Sequence, residues 1–211
     1  MPLSEPRFPV VLFDLDGTLV DSSALILESI HHTTEVVLGR RFPDERILAL
    51  IGGGSPARQL AQLDGDHTDE LVRVYGERID PAYDAVACFD GIVDVIGELR
   101  GQGRRLGVVS AKGNATIGRA LAGAGLGGLF DVVVGSDATA KHKPDPEPLL
   151  HAMSLLGAPA ADAAYVGDSP FDAAAARAAG VYAVAVAWGG IHRVEDADVL
   201  VESPRELLDV L

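Results

Sequence analysis

The sequence has little cysteine, few positive charges and no long apolar run. Cys88 is the only cysteine among 211 residues, so the chain can form neither an internal disulfide nor a thiolate metal cluster. Lysine and arginine number 17 against 31 aspartates and glutamates, which gives a formal net charge of −14. A negative field repels polyphosphate and anionic membranes before contact is made. We therefore expect no nucleic acid and no membrane among the partners of this protein.

A membrane-spanning helix needs about 18 consecutive apolar residues, and no run in this chain approaches that length. Residues 1–6 also lack the basic and then apolar pattern of a signal sequence. Both absences predict a cytoplasmic protein. Apolar residues make up 48% of the chain, and 211 residues suffice for one substantial core with a small accessory lobe. The oligomeric state, monomer or homodimer, is left open by the sequence.

The most informative stretch is FDLDGTLVDS, which begins at Phe13 and follows a strand-like apolar run from residue 8. Alternate side chains of an extended chain share a face, so Asp14 and Asp16 are expected to project into one cleft at the carboxyl end of this strand. Two carboxylates in one cleft indicate a bound cation. Gly17 then permits the backbone to leave strand geometry.

Strand-like and helix-like segments alternate over most of the remaining chain. Further strands are predicted at residues 104–110, 130–135, 164–167, 181–186 and 199–201. This alternation indicates an α/β fold, in which a parallel sheet is covered by helices on both faces and its strand ends share one edge. Residues 22–87 show helical patterns and no clear strand, which indicates an insertion. We predict a Rossmann-like core, residues 1–21 and 88–211, with an inserted helical cap at residues 22–87.

Polar residues lie at or after the next three predicted strands: Ser110 ends the second strand, Lys143 lies in the segment after the third, and Asp168 and Asp172 follow the fourth. Together with Asp14 and Asp16 they are expected at one edge of the sheet. This ordered set resembles the four motifs of the haloacid dehalogenase-like hydrolases, in particular those similar to phosphoglycolate phosphatases. The helical insertion resembles the first cap class of that superfamily.

The resemblance implies an enzyme that hydrolyses small phosphate monoesters through an aspartyl-phosphate. Asp14 is then the expected nucleophile, and Asp16 the acid that protonates the leaving oxygen and the base that activates water. Mg²⁺ is the expected cofactor, bound by Asp14, Asp168 and the backbone carbonyl of Asp16, with Asp172 supporting it.

Other residues are expected to bind the substrate, a small phosphorylated metabolite. The resemblance assigns the phosphoryl group to Ser110 and to Lys143, which is preferred over Lys141 because the family places its lysine directly before proline. The loop after residue 51 is expected to reach the active site from the cap, which makes Ser55 and Arg58 candidates for substrate contact. Lys112 faces either the substrate or the solvent.

One position departs from the family pattern, and several alternative functions stay open. Related phosphatases often have Thr-Asn-Lys where this chain has Ser110-Ala111-Lys112, so an amide that positions the substrate is absent. The motifs do not separate a phosphatase from a phosphosugar mutase of the β-phosphoglucomutase type. Inorganic pyrophosphatase, dehalogenase and receiver-like phospho-aspartate signalling activities are further alternatives. A receiver places its phosphoaccepting aspartate after the third strand, whereas Asp14 follows the first.

Overall fold

A computed structural model describes residues 7–190, 192 and 194–211. Residues 1–6, which belong to the predicted core and carry the prediction about a signal sequence, lie outside this range. The strands are β1 (Val10–Phe13), β2 (Arg105–Val109), β3 (Val132–Val134), β4 (Ala163–Gly167), β5 (Tyr182–Val186) and β6 (Val199–Val201). The α-helices are α1 (Ser23–Leu38), α2 (Asp44–Leu48), α3 (Pro56–Ala61), α4 (Thr68–Ile79), α5 (Ile92–Gly101), α6 (Asn114–Gly123), α7 (Glu147–Leu156), α8 (Pro170–Ala179) and α9 (Leu207–Val210).

The strands form one parallel sheet in the order β3-β2-β1-β4-β5-β6, which confirms the predicted α/β class. β1 is completely buried because both of its faces carry apolar side chains. Val11 and Phe13 pack into one apolar cluster, and Val10 and Leu12 pack into the other. The strand order reverses beside β1, since β2 lies on one side of it and β4 on the other. Open α/β sheets bind their ligands at such a reversal.

The segment between β1 and α5 is helical, comprising α1 to α4 and a 3₁₀ helix at Pro81–Ala85. We call residues 22–87 the helical insertion. Val20 pairs with Cys88, so the chain leaves the core and returns to it at nearly the same point. The 3₁₀ helix was not predicted. The assignment of the helical insertion as a cap stays a prediction.

Helix α8 begins earlier than its sequence pattern indicates. The alanine-rich run predicts a start at Ala173, whereas the helix starts at Pro170. Ser169 caps it, because the Ser169 side chain accepts from the Asp172 amide while the Asp172 side chain accepts from the Ser169 amide. The cap residue is thus adjacent to Asp168, and the first turn of the helix contributes directly to the polar edge of the sheet. Within the described ranges, no helix has the length and apolarity needed to cross a bilayer.

Candidate active site

Side chains from four loops meet at the carboxyl edge of the sheet. Asp14 directly follows β1, Ser110 follows β2 and Asp168 follows β4, whereas Lys143 comes from the loop after β3. All four are buried, and Asp14 is only 4% exposed. Asp14, Ser110 and Asp168 line a cavity of about 20 Å³, together with Asp16. The fold therefore brings together the residues that the sequence placed at separate strand ends.

The loop after Asp14 depends on Gly17. Its φ of +75° lies in the left-handed region that favours glycine. A Cβ atom at this position would lie 2.2 Å from Asp168 Oδ2, so a side chain would collide with a predicted metal ligand. Trp188 also holds the loop, because its Nε1 donates to the carbonyl of Thr18 at 3.0 Å.

We expect Gly17→Ala to lower turnover by about 100-fold, because displacing Asp168 by about an ångström misaligns the site. Gly39→Ala is a matched control: Gly39 also has positive φ, +65°, but nothing lies within 4 Å of its added Cβ. The control should lose about 1 kcal/mol of unfolding free energy with little change in turnover. Steady-state kinetics and thermal unfolding of both variants make the comparison. Equal losses of turnover would contradict the proposed collision.

Lys143 joins the two ends of the acidic cluster. Its Nζ lies 3.0 Å from Asp14 Oδ1 and donates to Asp172 Oδ1 at 2.6 Å. It also donates to the hydroxyl of Tyr165 on β4, at 2.9 Å. The contact with Asp14 lacks the alignment of a hydrogen bond, so Asp14 Oδ1 is buried without a hydrogen-bond donor. Lys143 is therefore anchored by Asp172 and Tyr165 and presents its charge to Asp14.

Three buried carboxylates lie near the ammonium group of Lys143, which contacts two of them, Asp14 and Asp172. Burial raises the pKa of Asp14 to about 7; Lys143 opposes the shift, and Asp172 and Asp16 add to it. Burial also raises the pKa of Asp168 well above its ordinary value, and Asp172 and Asp14 raise it further. Burial lowers the pKa of Lys143, but Asp14 and Asp172 raise it more. A second cation would stabilise the ionised carboxylates.

The acidic cluster suits a magnesium ion. One oxygen from each of Asp14, Asp168 and Asp172 lies within 4.8 Å of the others. Both oxygens of Asp172 are already engaged, Oδ1 by Lys143 and Oδ2 by the amide and hydroxyl of Ser169 at 3.0 and 2.5 Å. Asp14 and Asp168 are therefore better placed to bind an ion directly. Carboxylate oxygens without nitrogen or sulfur ligands suit Mg²⁺ rather than Zn²⁺.

Asp16 is held by both ends of the helical insertion. Ser22, just before α1, donates its hydroxyl to Asp16 Oδ1 at 2.5 Å. Tyr83, in the 3₁₀ helix, donates its hydroxyl to the same oxygen. Tyr83 is completely buried, and sequence reasoning missed it because it lies 67 residues from Asp16 with no local pattern pointing to it. The position of the Asp16 carboxyl group thus depends on where the insertion joins the core.

The helical insertion covers the cavity through residues other than those predicted. Ser55 caps α3, accepting from the amide of Arg58 at 3.4 Å, and the side chain of Arg58 is exposed. Neither residue lines the cavity, whereas Ile51 and Gln59 do. A volume of about 20 Å³ holds about one water molecule. A phosphate ester needs more room than this cavity provides.

Lys112 faces the cavity and not the solvent. Its side chain is buried, and its Nζ donates to the hydroxyl of Tyr75 on α4 at 2.8 Å. Its backbone amide donates to Ser110 Oγ at 3.2 Å, which ties the lysine to the phosphoryl-binding candidate. Tyr75 was not identified from the sequence, because its apolar spacing on α4 indicates only a core position.

The comparisons agree with the motifs. A family model described as haloacid dehalogenase-like hydrolase matches residues 11–186. A putative pyrophosphatase, PpaX of Caldanaerobacter subterraneus subsp. tengcongensis, is 33% identical over 97% of this chain and 95% of its own length. A putative haloacid dehalogenase-like hydrolase from Bacteroides fragilis superposes with a TM-score of 0.87 at 28% identity, covering 95% of this chain and all of that one. A putative phosphoglycolate phosphatase from Lactobacillus plantarum shares the fold, with a TM-score of 0.85 at 22% identity over 98% of this chain and 100% of that one.

Proposed function

Because the chain belongs to the haloacid dehalogenase-like hydrolases, we propose that it is a magnesium-dependent phosphatase of small phosphate monoesters, similar to phosphoglycolate, acting through a phosphorylated Asp14. One observation carries the proposal. Four polar side chains come from four different loops and are all buried at one edge of the sheet: Asp14, Ser110, Lys143 and Asp168. Burial of so many polar and charged side chains is costly for a structural site, and it is typical of a site that handles a charged substrate.

In this proposal Asp14, Asp168 and the backbone carbonyl of Asp16 bind Mg²⁺, and Asp172 orients Lys143. When bound, the ion would partly neutralise the negative charge of the phosphoryl oxygens, so that an anionic nucleophile can approach phosphorus. Lys143 adds a positive charge beside the attacking Asp14, at 3.0 Å from Asp14 Oδ1. The hydroxyl of Ser110 donates to a phosphoryl oxygen from the neighbouring strand end.

The reaction then proceeds in two steps. A carboxylate oxygen of Asp14 bonds to phosphorus while the bond from phosphorus to the leaving oxygen breaks, and Asp16 donates its proton to that oxygen. Asp16, now ionised, takes a proton from water, whose oxygen attacks the phosphorus. The bond to Asp14 breaks, inorganic phosphate leaves and the Asp14 carboxylate is restored. Asp16 ends the cycle protonated, as it began.

The helical insertion, residues 22–87, acts in this proposal as a cap over a core formed by residues 1–21 and 88–211. Support comes from Ile51 and Gln59, which line the cavity from the insertion, and from Tyr83, which bonds Asp16. Ser55 and Arg58 remain candidates for substrate contact only if the cap moves. A cytoplasmic monomer or homodimer remains the expectation for this enzyme.

Inorganic pyrophosphate is a second candidate substrate. The observation that favours it is the relative named putative pyrophosphatase, which is 33% identical over 97% of this chain. The same two-step chemistry applies, with phosphate as the leaving group. The mutase alternative uses the same aspartates and differs in its products, whereas the receiver alternative conflicts with the family match and with Asp14 at the end of β1.

The experiment measures inorganic phosphate released from phosphoglycolate, pyrophosphate, sugar phosphates and nucleotides, with Mg²⁺ or with a chelator. We expect release from phosphoglycolate or pyrophosphate that requires Mg²⁺. Interconversion of sugar phosphates without phosphate release would favour the mutase instead. Release that persists in the chelator would contradict the role of the metal, and no conversion of any compound would overturn the proposed function.

A further inference from the structure

Lys112 is a buried ammonium group that contacts aromatic side chains. Its side chain is 7% exposed, and its Nζ lies 5.2 and 5.5 Å from the ring centroids of Tyr75 and Tyr83. In the part of the chain that the structure describes, its side-chain hydrogen-bond partner is the Tyr75 hydroxyl, and no carboxylate lies within ion-pair distance. Lys143 differs sharply, since it contacts both Asp14 and Asp172.

The positive charge of Lys112 is offset by aromatic rings and by carboxylates at a distance, without an ion pair to a described residue. An ammonium group pays a large desolvation penalty on burial, and the faces of two aromatic rings offset part of it. Burial lowers the pKa of Lys112, but Tyr75 and the more distant carboxylates of Asp16 and Asp80 raise it above its ordinary value. Lys112 therefore stays charged at neutral pH. A buried, charged ammonium group that lines a cavity and has no described carboxylate in direct contact can form a charge-assisted hydrogen bond with an anion from outside.

The position of Lys112 indicates which anion. It lines the small cavity above Asp14, two residues beyond Ser110. It also lines a second cavity, of about 180 Å³, which lies between α4 and the start of α6. Tyr75 and Thr116 form part of the wall of this second cavity. Lys112 lines both cavities, so a substrate whose phosphoryl group lies at Asp14 and Ser110 and whose leaving group extends toward the second cavity would pass the ammonium group of Lys112.

We propose that Lys112 binds a second anionic group, phosphate or carboxylate, on the leaving-group side of the substrate, and so selects esters whose leaving group is itself negatively charged. The proposal rests on the proposed phosphatase function for the orientation of the substrate. Tyr75 holds the ammonium in place until the anion arrives. Phosphoglycolate carries a carboxylate at this position and pyrophosphate carries a phosphate. Comparing the two substrates shows which anion Lys112 prefers.

The test compares phosphoglycolate and pyrophosphate with 2-hydroxyethyl phosphate, in which a neutral alcohol replaces the carboxylate of phosphoglycolate. Three proteins are compared: wild type, Lys112→Met and the charge-preserving Lys112→Arg. Lys112→Met should lower kcat/KM for the substrates with a charged leaving group by about 10–100-fold, mainly through KM, because a charged hydrogen bond is lost. Turnover of 2-hydroxyethyl phosphate should change by less than about threefold, and Lys112→Arg should recover part of the loss.

A binding measurement separates this proposal from the phosphatase proposal. Isothermal titration of an Asp14→Asn protein with Mg²⁺ should show tighter binding of phosphoglycolate or pyrophosphate than of 2-hydroxyethyl phosphate, and Lys112→Met in that background should remove the difference. Retained discrimination without turnover by wild type would support the anion site and defeat the phosphatase. Equal effects of Lys112→Met on all three compounds, or no effect, would overturn the anion site while leaving phosphatase activity intact.

A stability measurement tests whether Lys112 is structural instead. Methionine is apolar and of similar length, so Lys112→Met should lower the melting temperature of the ligand-free protein only slightly, because Lys112 forms no ion pair with a described carboxylate. Lys143→Met should lower it much more, because Lys143 contacts two carboxylates whose charge would be left unpaired. A melting temperature that falls equally in both variants would show that Lys112 serves the fold, and would contradict the proposal.

Discussion

Asp16→Asn is expected to stop the proposed reaction after its first half when p-nitrophenyl phosphate is the substrate. The nitrophenolate leaving group departs without a proton, so Asp14 can still become phosphorylated. Asparagine cannot take a proton from water, so the second half should slow by about 10²–10⁴-fold. The result is a burst of about one equivalent of nitrophenolate per enzyme, followed by slow turnover.

The leaving group of the substrate determines whether the first half of the reaction needs Asp16. Phosphoglycolate expels an alkoxide, which needs the proton that Asp16 supplies, so Asp16→Asn should slow its first half as well and abolish the burst. Rapid-mixing absorbance measures the burst, and mass spectrometry of the quenched protein measures phosphorylated Asp14. Ser22 and Tyr83 both donate to Asp16 Oδ1, and an asparagine oxygen at that position can keep both hydrogen bonds. The loss is therefore expected to be chemical and not structural.

Two further variants serve as comparisons. Asp14→Asn should show neither burst nor turnover, with phosphate release reduced by about 10⁴-fold or more, because an amide oxygen is a poor nucleophile. Asp94→Asn removes the same charge from an exposed position on α5 and should behave as wild type. A burst in Asp14→Asn would contradict the role of Asp14 as the nucleophile. An unchanged rate in Asp16→Asn would contradict the role of Asp16 as acid and base.

Asp168→Asn is expected to abolish activity and yet stabilise the metal-free protein. Asp14, Asp168 and Asp172 lie together with one ammonium group among them, so burying the charge of Asp168 opposes folding. Neutralising it should raise the unfolding free energy by about 1–2 kcal/mol, or the melting temperature by about 2–8 °C. Turnover should fall by at least about 100-fold, because a metal ligand is lost.

The sign of the pH dependence follows from the raised pKa values. Asp168 has a higher pKa in the folded than in the unfolded protein, so its contribution to stability is complete below the unfolded value, near pH 4, and is lost as pH rises toward the folded value. In chelator, the advantage of Asp168→Asn over wild type should therefore grow from pH 4 upward. The pKa of Asp14 is raised to about 7, so its contribution to stability also falls as pH rises. This fall occurs in wild type and in Asp168→Asn alike.

Magnesium should reverse this order. An ion present at 100 times its dissociation constant adds about 2.7 kcal/mol to the stability of wild type, and much less to Asp168→Asn. Thermal unfolding in chelator and in Mg²⁺ measures both shifts, and Asp94→Asn again serves as the control for loss of one exposed charge. A melting temperature of Asp168→Asn below that of wild type in chelator would contradict the electrostatic argument. An undiminished response of the variant to Mg²⁺ would contradict the assigned ligand.

Much of the site was predictable because its residues follow strands directly. Asp14 and Asp16 alternate beyond β1, and Ser110 and Asp168 follow β2 and β4, which are the two neighbours of β1 in the sheet. Parallel pairing brings these strand ends to one edge whatever the details of packing. Local patterns also locate helices: the apolar spacing of residues 68–79 by itself predicts a helix, and α4 spans Thr68–Ile79. They did not reveal the early start of α8, because the Ser169 cap lies outside the alanine-rich run.

The remaining contacts depended on how the helical insertion packs against the sheet. Tyr83 bonds Asp16 across 67 residues, and Tyr75 bonds Lys112 across 37, so neither pair leaves a local signal. Gln59 lines the cavity while its neighbour Arg58 is exposed, a choice that rests on the orientation of the short helix α3. Order along the chain determines which chemical groups reach the edge of a parallel sheet. Packing of distant helices determines which groups surround them, because those contacts form only when the whole chain has folded.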